Sequence, residues 1–326
     1  MSDQERLLVI INNVAAKARR AWPIVRATMA ERNINFDFYE TRRASDATER
    51  TRLAIKEGYR TIAVVGGDGT LSEVAEGFFD LSTLQHGMLP TPLNREAALA
   101  ILPAGTGDDF ARGLLGRRAQ LEQWIEILLA HCRGSGEQTT RTVDMLFGAC
   151  DDGASRFLCL NASTMGIGGE TASRVASQGN LMRRLSGEVR FVAAAVGALA
   201  VWRERLVRLT LDQTAIEAPM NLVAVANGPY AGGGMMLSPQ ARLDDGLLDV
   251  ITASGLRRGH VMRELPRIRR GGHVANPKVR IVQGERVEIK TFAAEDALLI
   301  EADGNVRGRT PAEFRIMPRA LRVVAG

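Results

Sequence analysis

Residues 61 to 70, Thr-Ile-Ala-Val-Val-Gly-Gly-Asp-Gly-Thr, constrain the fold more than any other stretch of the chain. The run Thr61 to Val65 has no polar alternation and reads as a buried strand. Gly66, Gly67 and Gly69 end it in a loop whose backbone can approach a bulky anion. Leu71, Val74, Ala75 and Phe78 then recur at helical spacing, so a helix N-terminus, with its open N–H groups and positive dipole end, points at the same spot. Strand, glycine loop and helix in this order make a phosphate cradle. Asp68 lies inside it, where a lone carboxylate would repel phosphate; it points to an intervening metal ion or to a proton-accepting role, and Thr70 offers a hydroxyl. The same residues can also do no more than cap a helix in a glycine-rich turn.

The surroundings extend the pattern. Leu7 to Ile11, Pro23 to Arg32, Phe36 to Glu40, Asp46 to Glu57 and Thr61 to Val65 follow one another as βαβαβ. Pro23 is expected in the first turn of its helix and Ser45 as the cap of the next. Ala98 to Leu102 reads as another buried strand, followed by the tight loop Pro103 to Gly107 and a helix opened by Asp108. Two adjacent βα loops of this kind converge on one ligand at the carboxyl ends of their strands. The lysine of a Walker loop is absent and the glycine spacing is not that of a dinucleotide fingerprint.

From Thr139 onward the texture changes to short segments split by glycine, as in Thr142 to Phe147, Arg156 to Asn161, Arg205 to Leu211 and Leu222 to Asn227, and reads as mainly antiparallel β. Two amphipathic helices interrupt it, Leu185 to Arg205 and Arg257 to Arg270. A length of 326 residues favours two domains. With 45% hydrophobic and 24% charged residues the chain is ordinary globular material. The net charge of +5 is modest, and with only 5% aromatic residues and no basic stretch interleaved with rings, nucleic acid is not expected as a partner. Cys132, Cys150 and Cys159 lack metal or disulfide spacing, so a reducing cytoplasm is the simplest setting. The longest weakly polar run, Phe191 to Trp202, falls short of the ~20 residues of a spanning helix.

The pair Gly66-Gly67-Asp68-Gly69-Thr70-Leu71-Ser72-Glu73-Val74 and Leu102-Pro103-Ala104-Gly105-Thr106-Gly107-Asp108-Asp109-Phe110-Ala111-Arg112 closely resembles the two signatures of the diacylglycerol-kinase-like catalytic family, which takes in bacterial lipid kinases and sphingosine and ceramide kinases. The resemblance continues through Asn161 to Gly168, Ala226 to Met235 and Leu243 to Val250, nearly the whole chain. It implies an N-terminal three-layer α/β domain like those of NAD kinase and phosphofructokinase, residues 1–138, and a C-terminal β-sandwich that takes the lipid, residues 139–312, with the tail 313–326 returning to the first domain. It implies transfer of the γ-phosphate of ATP to a lipid hydroxyl. The nucleotide is expected at Asn12, Thr41, the loop Gly66, Gly67, Asp68, Gly69, Thr70, Leu71 and Ser72, and at Thr106, with Asn13 near the adenine. Lys17, Arg19 and Arg20 are within reach of phosphates but fit solvated helix positions better. A structural Mg2+ is expected on Asp245 with the carbonyls of Arg242 and Leu247, oxygen ligands that suit a hard cation.

The chain departs from the family pattern at its catalytic segment. Where relatives carry Asp-Gly-Glu, with the glutamate taken as proton acceptor, this chain has Asp303-Gly304-Asn305, and an amide is no general base. Asp303, with Glu301 two residues earlier, and Asp68 remain as acceptors, so Asp68, Asp303 and Asn305 form the expected catalytic set. Ser72 and Asp108 stand where asparagine is common, and Asn12-Asn13-Val14-Ala15-Ala16 replaces the usual Asn-Pro with its following glycine. An NAD kinase-like enzyme, which shares a Gly-Gly-Asp-Gly-Thr loop, and a nucleotide- or lipid-binding homologue with weakened catalysis are the alternatives. The arginine-rich segment Arg257, Arg258, Arg263, Arg267, Arg269 and Arg270 suits peripheral contact with anionic lipid at the inner face of the membrane, or an ordinary surface helix. The oligomeric state is left open, a homodimer included.

Overall fold

The computed structural model describes residues 6–82, 84–85, 87–134, 139–178 and 187–325. Leu185, the expected start of one helix, and residue 138, the expected end of the first domain, lie outside them. The elements in chain order are β1 (Leu7–Ile11), α1 (Ala16–Glu31), β2 (Asp37–Glu40), α2 (Asp46–Lys56), β3 (Thr61–Gly66), α3 (Asp68–Gly77), β4 (Ala98–Pro103), α4 (Asp109–Leu115), α5 (Leu121–Arg133) and β5 (Thr140–Cys150). They continue as β6 (Ser155–Cys159), β7 (Ala162–Gly166), α6 (Ile167–Ala176), α7 (Gly187–Val201), β8 (Arg205–Leu211), β9 (Thr214–Met220), β10 (Leu222–Ala226), β11 (Tyr230–Ala231), β12 (Met235–Met236) and β13 (Leu248–Ala253). Last come α8 (Arg258–Ile268), β14 (Val279–Gly284), β15 (Arg286–Thr291), β16 (Leu299–Ala302), β17 (Asn305–Arg309) and β18 (Ala312–Val324). By packing the chain divides into Met1–Met145 with Pro318–Gly326, and Leu146–Met317. The division falls inside β5 and β18, each one unbroken strand, and so a few residues from where the change of texture along the sequence puts it.

In the first unit the strands without polar alternation become the middle of a parallel sheet. Every residue of β1 and of β3 is buried, as a sheet covered on both faces requires. The order is β2-β1-β3-β4-β18, all pairs parallel. The chain goes from β1 outward to β2 and returns past β1 to β3, so the carboxyl ends of β1 and β3 flank the point where the strand order reverses, the place where such sheets take ligands. Two local expectations change. Helix α1 begins at Ala16, so Pro23 lies inside it rather than in its first turn. The proline costs one backbone bond, and the buried face Ala18, Ala21, Trp22, Val25 and Met29 carries the helix across the gap. Ser45 makes no side-chain cap on α2 and sits at φ 63°; its neighbour Asp46 instead accepts the N–H of Arg42 at 2.8 Å.

The second unit is a β-sandwich. One sheet runs β14-β13-β10-β7-β16-β17, each pair antiparallel. In the other, β8 pairs β9 and β15, and β15 pairs β18, again antiparallel. Alternation sorts the faces. Met165, Val223, Val225, Val250 and Ile300 of the first sheet share a core with Val207, Leu209, Val287, Ile289 and Phe314 of the second, while Ala162, Ala224, Ala226 and Ile251 face the opposite side with Leu237. Helix α7 and the arginine-rich α8 lie where two helices are expected. Helix α6 is an addition, hidden in the sequence by Gly168 and Gly169. Both glycines are needed for close approach: a Cβ on Gly168 would sit 2.6 Å from the Thr164 hydroxyl, and one on Gly169 would collide with the Leu299 carbonyl. No helix among the described residues is long and apolar enough to cross a membrane.

Phe314 is fully buried and meets Phe157 edge-on, ring centroids 6.1 Å apart, at the centre of the sandwich core. Phe314→Ala is expected to lower stability by about 3–5 kcal/mol, read from denaturant unfolding of the purified variant.

Candidate active site

Three loops meet at the carboxyl ends of the parallel strands of the first unit. The loop after β1 is set by Asn12, whose Oδ1 accepts the N–H groups of Val14 at 3.1 Å and Ala15 at 3.2 Å. Its Nδ2 donates to the Thr70 hydroxyl at 2.8 Å, which ties this loop to the first turn of α3. The loops after β3 and β4 touch through their glycines. A Cβ on Gly67 would lie 3.1 Å from the Gly105 Cα, and one on Gly105 would lie 2.7 Å from the Gly67 Cα and 2.8 Å from Asp108 Oδ1. No side chain fits there, so the backbones themselves pack. By contrast a Cβ on Gly69 would meet nothing within 4 Å, which leaves open space beside the start of α3. Gly67, the N-cap of α3, has no side chain with which to cap that helix; the first N–H groups of a helix lack intrahelical partners and favour an anion.

Asp68 does not simply point a bare carboxylate into this cradle. Its Oδ1 accepts the N–H groups of Asp109 at 2.6 Å and Phe110 at 3.3 Å, and so caps α4 from the neighbouring loop. Asp108, which stands where asparagine is common, closes its own loop: Oδ1 accepts the Gly105 N–H at 2.8 Å and Oδ2 pairs with Arg118 at 3.3 Å. Leu71 is turned into the core, and its N–H is committed to the Gly67 carbonyl. Ser72 is buried, 2% exposed, with no partner on its hydroxyl among the described residues. Thr41 is buried at the end of β2 and hydrogen-bonds the Ile11 carbonyl through N–H and hydroxyl. Asn13 donates to Glu40. Lys17 is more than a solvated helix position: its ammonium donates to the Gly105 carbonyl at 2.9 Å and reaches the Thr106 hydroxyl at 3.5 Å. Lysine spacing carries no sign of this, since the contact spans the loops after β1 and β4.

In the second unit, Asp303, Gly304 and Asn305 form the turn between β16 and β17. Asp303 lies at φ 45°. Its Oδ2 accepts the Leu160 N–H at 2.7 Å, and its Oδ1 accepts those of Asn161 at 3.0 Å and Ala162 at 3.4 Å. Three backbone donors fix this carboxylate to the start of β7. The Asn305 amide donates to the Asp303 carbonyl at 3.5 Å. Glu301 shares the sheet face of Asp303 and is buried; its Oε2 accepts the Thr164 hydroxyl at 2.7 Å and its Oε1 the Gly304 N–H. Burial pushes the Glu301 carboxyl up to about 7, against the lowering pull of those two hydrogen bonds. Nothing in the sequence beyond its place two residues before Asp303 singles Glu301 out, because proton affinity depends on burial.

The loop 242–247 carries the expected cation ligands. Asp245 is exposed and its Oδ1 accepts the Leu247 N–H at 3.1 Å, which holds the carboxylate beside the loop backbone. One carboxylate with the carbonyls of Arg242 and Leu247 is an all-oxygen set, and its chemistry fits a hard divalent cation.

Removing the Asp68 carboxylate strips α4 of its cap: Asp68→Ala is expected to cost about 1 kcal/mol in urea unfolding, whereas Asp68→Asn, which keeps an acceptor oxygen, is expected to cost less. Glu301 makes stability depend on pH. Between about 4.5 and about 7 the folded chain keeps a proton that the unfolded chain has released, so stability is expected to fall as pH rises through that window. Glu301→Gln removes this component of the slope in unfolding curves taken at several pH values.

Comparison with known proteins agrees over both units. Residues 6–145 match the diacylglycerol kinase catalytic domain, and residues 166–325 the YegS C-terminal NAD kinase beta sandwich-like domain. A diacylglycerol kinase of Mycobacterium tuberculosis is 30% identical over 284 residues, 86% of this chain and 82% of its own. A protein of Pseudomonas aeruginosa named probable lipid kinase YegS-like is 27% identical over 321 residues, 98% and 94% of the two chains. The crystal structure of a diacylglycerol kinase from Bacillus anthracis superposes with a TM-score of 0.66 at 20% identity, covering 100% of this chain and 98% of that one, and so shares the fold. The paired glycine loops, the sandwich and these matches lead to one assignment: the chain belongs to the diacylglycerol kinase family of lipid kinases.

Proposed function

We propose that the chain transfers the γ-phosphoryl group of ATP to the hydroxyl of a diacylglycerol-like lipid. The observation that carries this reading is the contact of Gly67 with Gly105, which brings two backbone loops together at the start of α3, beside the point where the strand order reverses. Phosphoryl transfer asks the protein mainly for positioning and charge compensation. Lys17, held on Gly105 and Thr106, supplies a cation at the loops. Asn12, through Thr70, fixes the start of α3. Thr106 is exposed at the tip of its loop and Gly69 borders open space, so both can meet a nucleotide. Asp245 with the carbonyls of Arg242 and Leu247 would hold Mg2+, which would neutralise charge and stiffen that loop when bound.

Incubating the protein with γ-labelled ATP and Mg2+, and offering diacylglycerol, phosphatidylglycerol, sphingosine, ceramide and NAD as separate acceptors, tests the reading. Label is expected on a lipid, diacylglycerol first. Label on NAD alone would favour the NAD kinase alternative. Nucleotide binding without labelling of any acceptor, together with labelling by Asn305→Glu, would favour a weakened homologue.

Peripheral contact with anionic lipid is the accompanying proposal. On α8, Met262 is 43% exposed beside exposed Arg263, and Arg257, Arg269 and Arg270 are exposed at its ends, a composition that suits headgroups. Buried Glu264 offsets part of that charge through Arg267 at 3.1 Å and Arg263 at 3.6 Å. Sedimentation with vesicles containing phosphatidylglycerol is expected to exceed that with phosphatidylcholine alone and to fall with salt; equal sedimentation would refute it.

A further inference from the structure

The six-stranded sheet of the second unit has two ends. At one, Ala226 of β10 pairs Ala162 beside the Asp303 carboxylate; at the other, a strand length of about 15 Å away, Leu222 pairs Gly166. At this far end an open pocket of about 690 Å3 lies between the end of α7, the start of β8 and the start of α8, a volume typical of small-ligand sites. Its inner surface is apolar, from buried Leu199 and half-buried Trp202 and Leu256, and exposed Arg257 and Arg258 line its mouth. The walls are held in place from behind. Buried Asn221 clamps Leu256 through both backbone groups: Oδ1 accepts the N–H at 2.7 Å and Nδ2 donates to the carbonyl at 3.3 Å. Trp202 packs on the backbone of Gly166, where a Cβ would come within 3.3 Å of its ring, and the Arg205 guanidinium covers it 5.1 Å from a ring centroid. The Arg258 guanidinium donates to the Ala200 carbonyl at 2.7 Å and so joins the end of α7 to the start of α8.

Positive charge is left over at this mouth. Glu204, the one carboxylate lining the pocket, accepts the Gly255 N–H at 2.5 Å, and Lys278 donates to the carbonyl of the same glycine. Further along α8, Arg263 and Arg267 face Glu264, but Arg257 and Arg258 have no ion-pair partner among the described residues. Gly259, in the first turn of α8, lines the pocket and adds no bulk to it: a Cβ there would meet nothing within 4 Å. We propose that this pocket binds the phosphate head of an anionic phospholipid, with Arg257 and Arg258 on the phosphate oxygens and the first methylenes of the acyl chains against Leu199, Trp202 and Leu256. The planar guanidinium fork matches phosphate geometry, and Arg258 keeps donors to spare beyond the one given to Ala200. The apolar inner surface favours a lipid over a free ion, because only the lipid has methylenes to remove from water. The pocket stands apart from the Asp303 turn, so its ligand is an anchor that holds α8 at a membrane surface, separate from any lipid that accepts phosphate.

The test reads the pocket directly. In the full chain labelled with 15N, the indole N–H signal of Trp202 is the one of three that disappears in Trp202→Phe. Titration with dihexanoyl phosphatidic acid below its micelle concentration is expected to shift that signal saturably, and dihexanoyl phosphatidylcholine and inorganic phosphate are each expected to bind at least about tenfold more weakly. Gly259→Leu fills the pocket and replaces a poor helix former, so it is expected to keep the wild-type melting temperature or raise it; Arg257→Ala removes one cation. Both are expected to weaken binding of the phosphatidic acid about tenfold or more. No saturable shift in the wild type, equal affinity for phosphatidylcholine or for inorganic phosphate, or wild-type affinity in the folded variants overturns the proposal. If one variant does not fold the other decides, and if neither folds the comparison of the three probes on wild type decides. Protein that labels no lipid with γ-labelled ATP yet shows these shifts loses the kinase reading and keeps the anchor; protein that labels a lipid without them loses the anchor alone.

Discussion

Two glycines in backbone contact, Gly67 and Gly105, hold the first unit's site together. Their approach lets β3 and β4, adjacent and parallel, deliver their loops to one place, and it leaves no room for a side chain to keep them apart. The carboxylate between them then becomes useful. Asp68 belongs to the loop after β3 but its Oδ1 satisfies the start of α4, the helix that follows the other loop. A residue that would repel phosphate if left bare is in this way compensated by two backbone dipoles of the neighbouring helix. Lys17 and Asn12 extend the same logic to the end of β1, so polar contacts connect the segments that follow β1, β3 and β4.

The second unit solves a different problem. Its strands carry apolar residues at every other position, and one face of the six-stranded sheet is closed by the partner sheet around Phe314, Val287 and Val225. The opposite face carries Ala162, Ala224 and Ala226, small residues that let helices come close. Gly168 and Gly169 take that approach further, to contact of α6 with Thr164 and the backbone at Leu299. A carboxylate placed on this face, Glu301, is cut off from water as a result, and its chemistry follows from that burial.

Much of this was legible in the chain itself. Unalternated runs at Leu7 to Ile11 and Thr61 to Val65 announce strands covered on both sides, and the glycine loops that follow announce an anion site, because period and backbone freedom are local properties. Helix α6 was not legible, because two glycines lower helix propensity and their purpose is a contact with Leu299, some 130 residues away. Ser45 and Pro23 misled because an N-cap or a first-turn proline is only a local preference: packing of the buried face of α1 carries that helix past Pro23, and Ser45 sits at φ 63° with no cap bond on α2. The engagement of Lys17, Asp108 and Asp68 is likewise set by partners far along the chain, so residue type marks them as candidates and only the fold assigns their work.

Strand β18 pairs with β15 through Ala312 to Arg315 and with β4 through Arg322 to Val324. The same backbone therefore serves an antiparallel ladder and then a parallel one. For a chain made from its N-terminus this sets an order of events. Strand β4 emerges early but waits for a neighbour encoded after the whole sandwich, and until then presents a row of unpaired backbone groups. The parallel sheet of a ribosome-bound chain is thus one strand short, open to pairing with the wrong partner, and closes only when β18 is released.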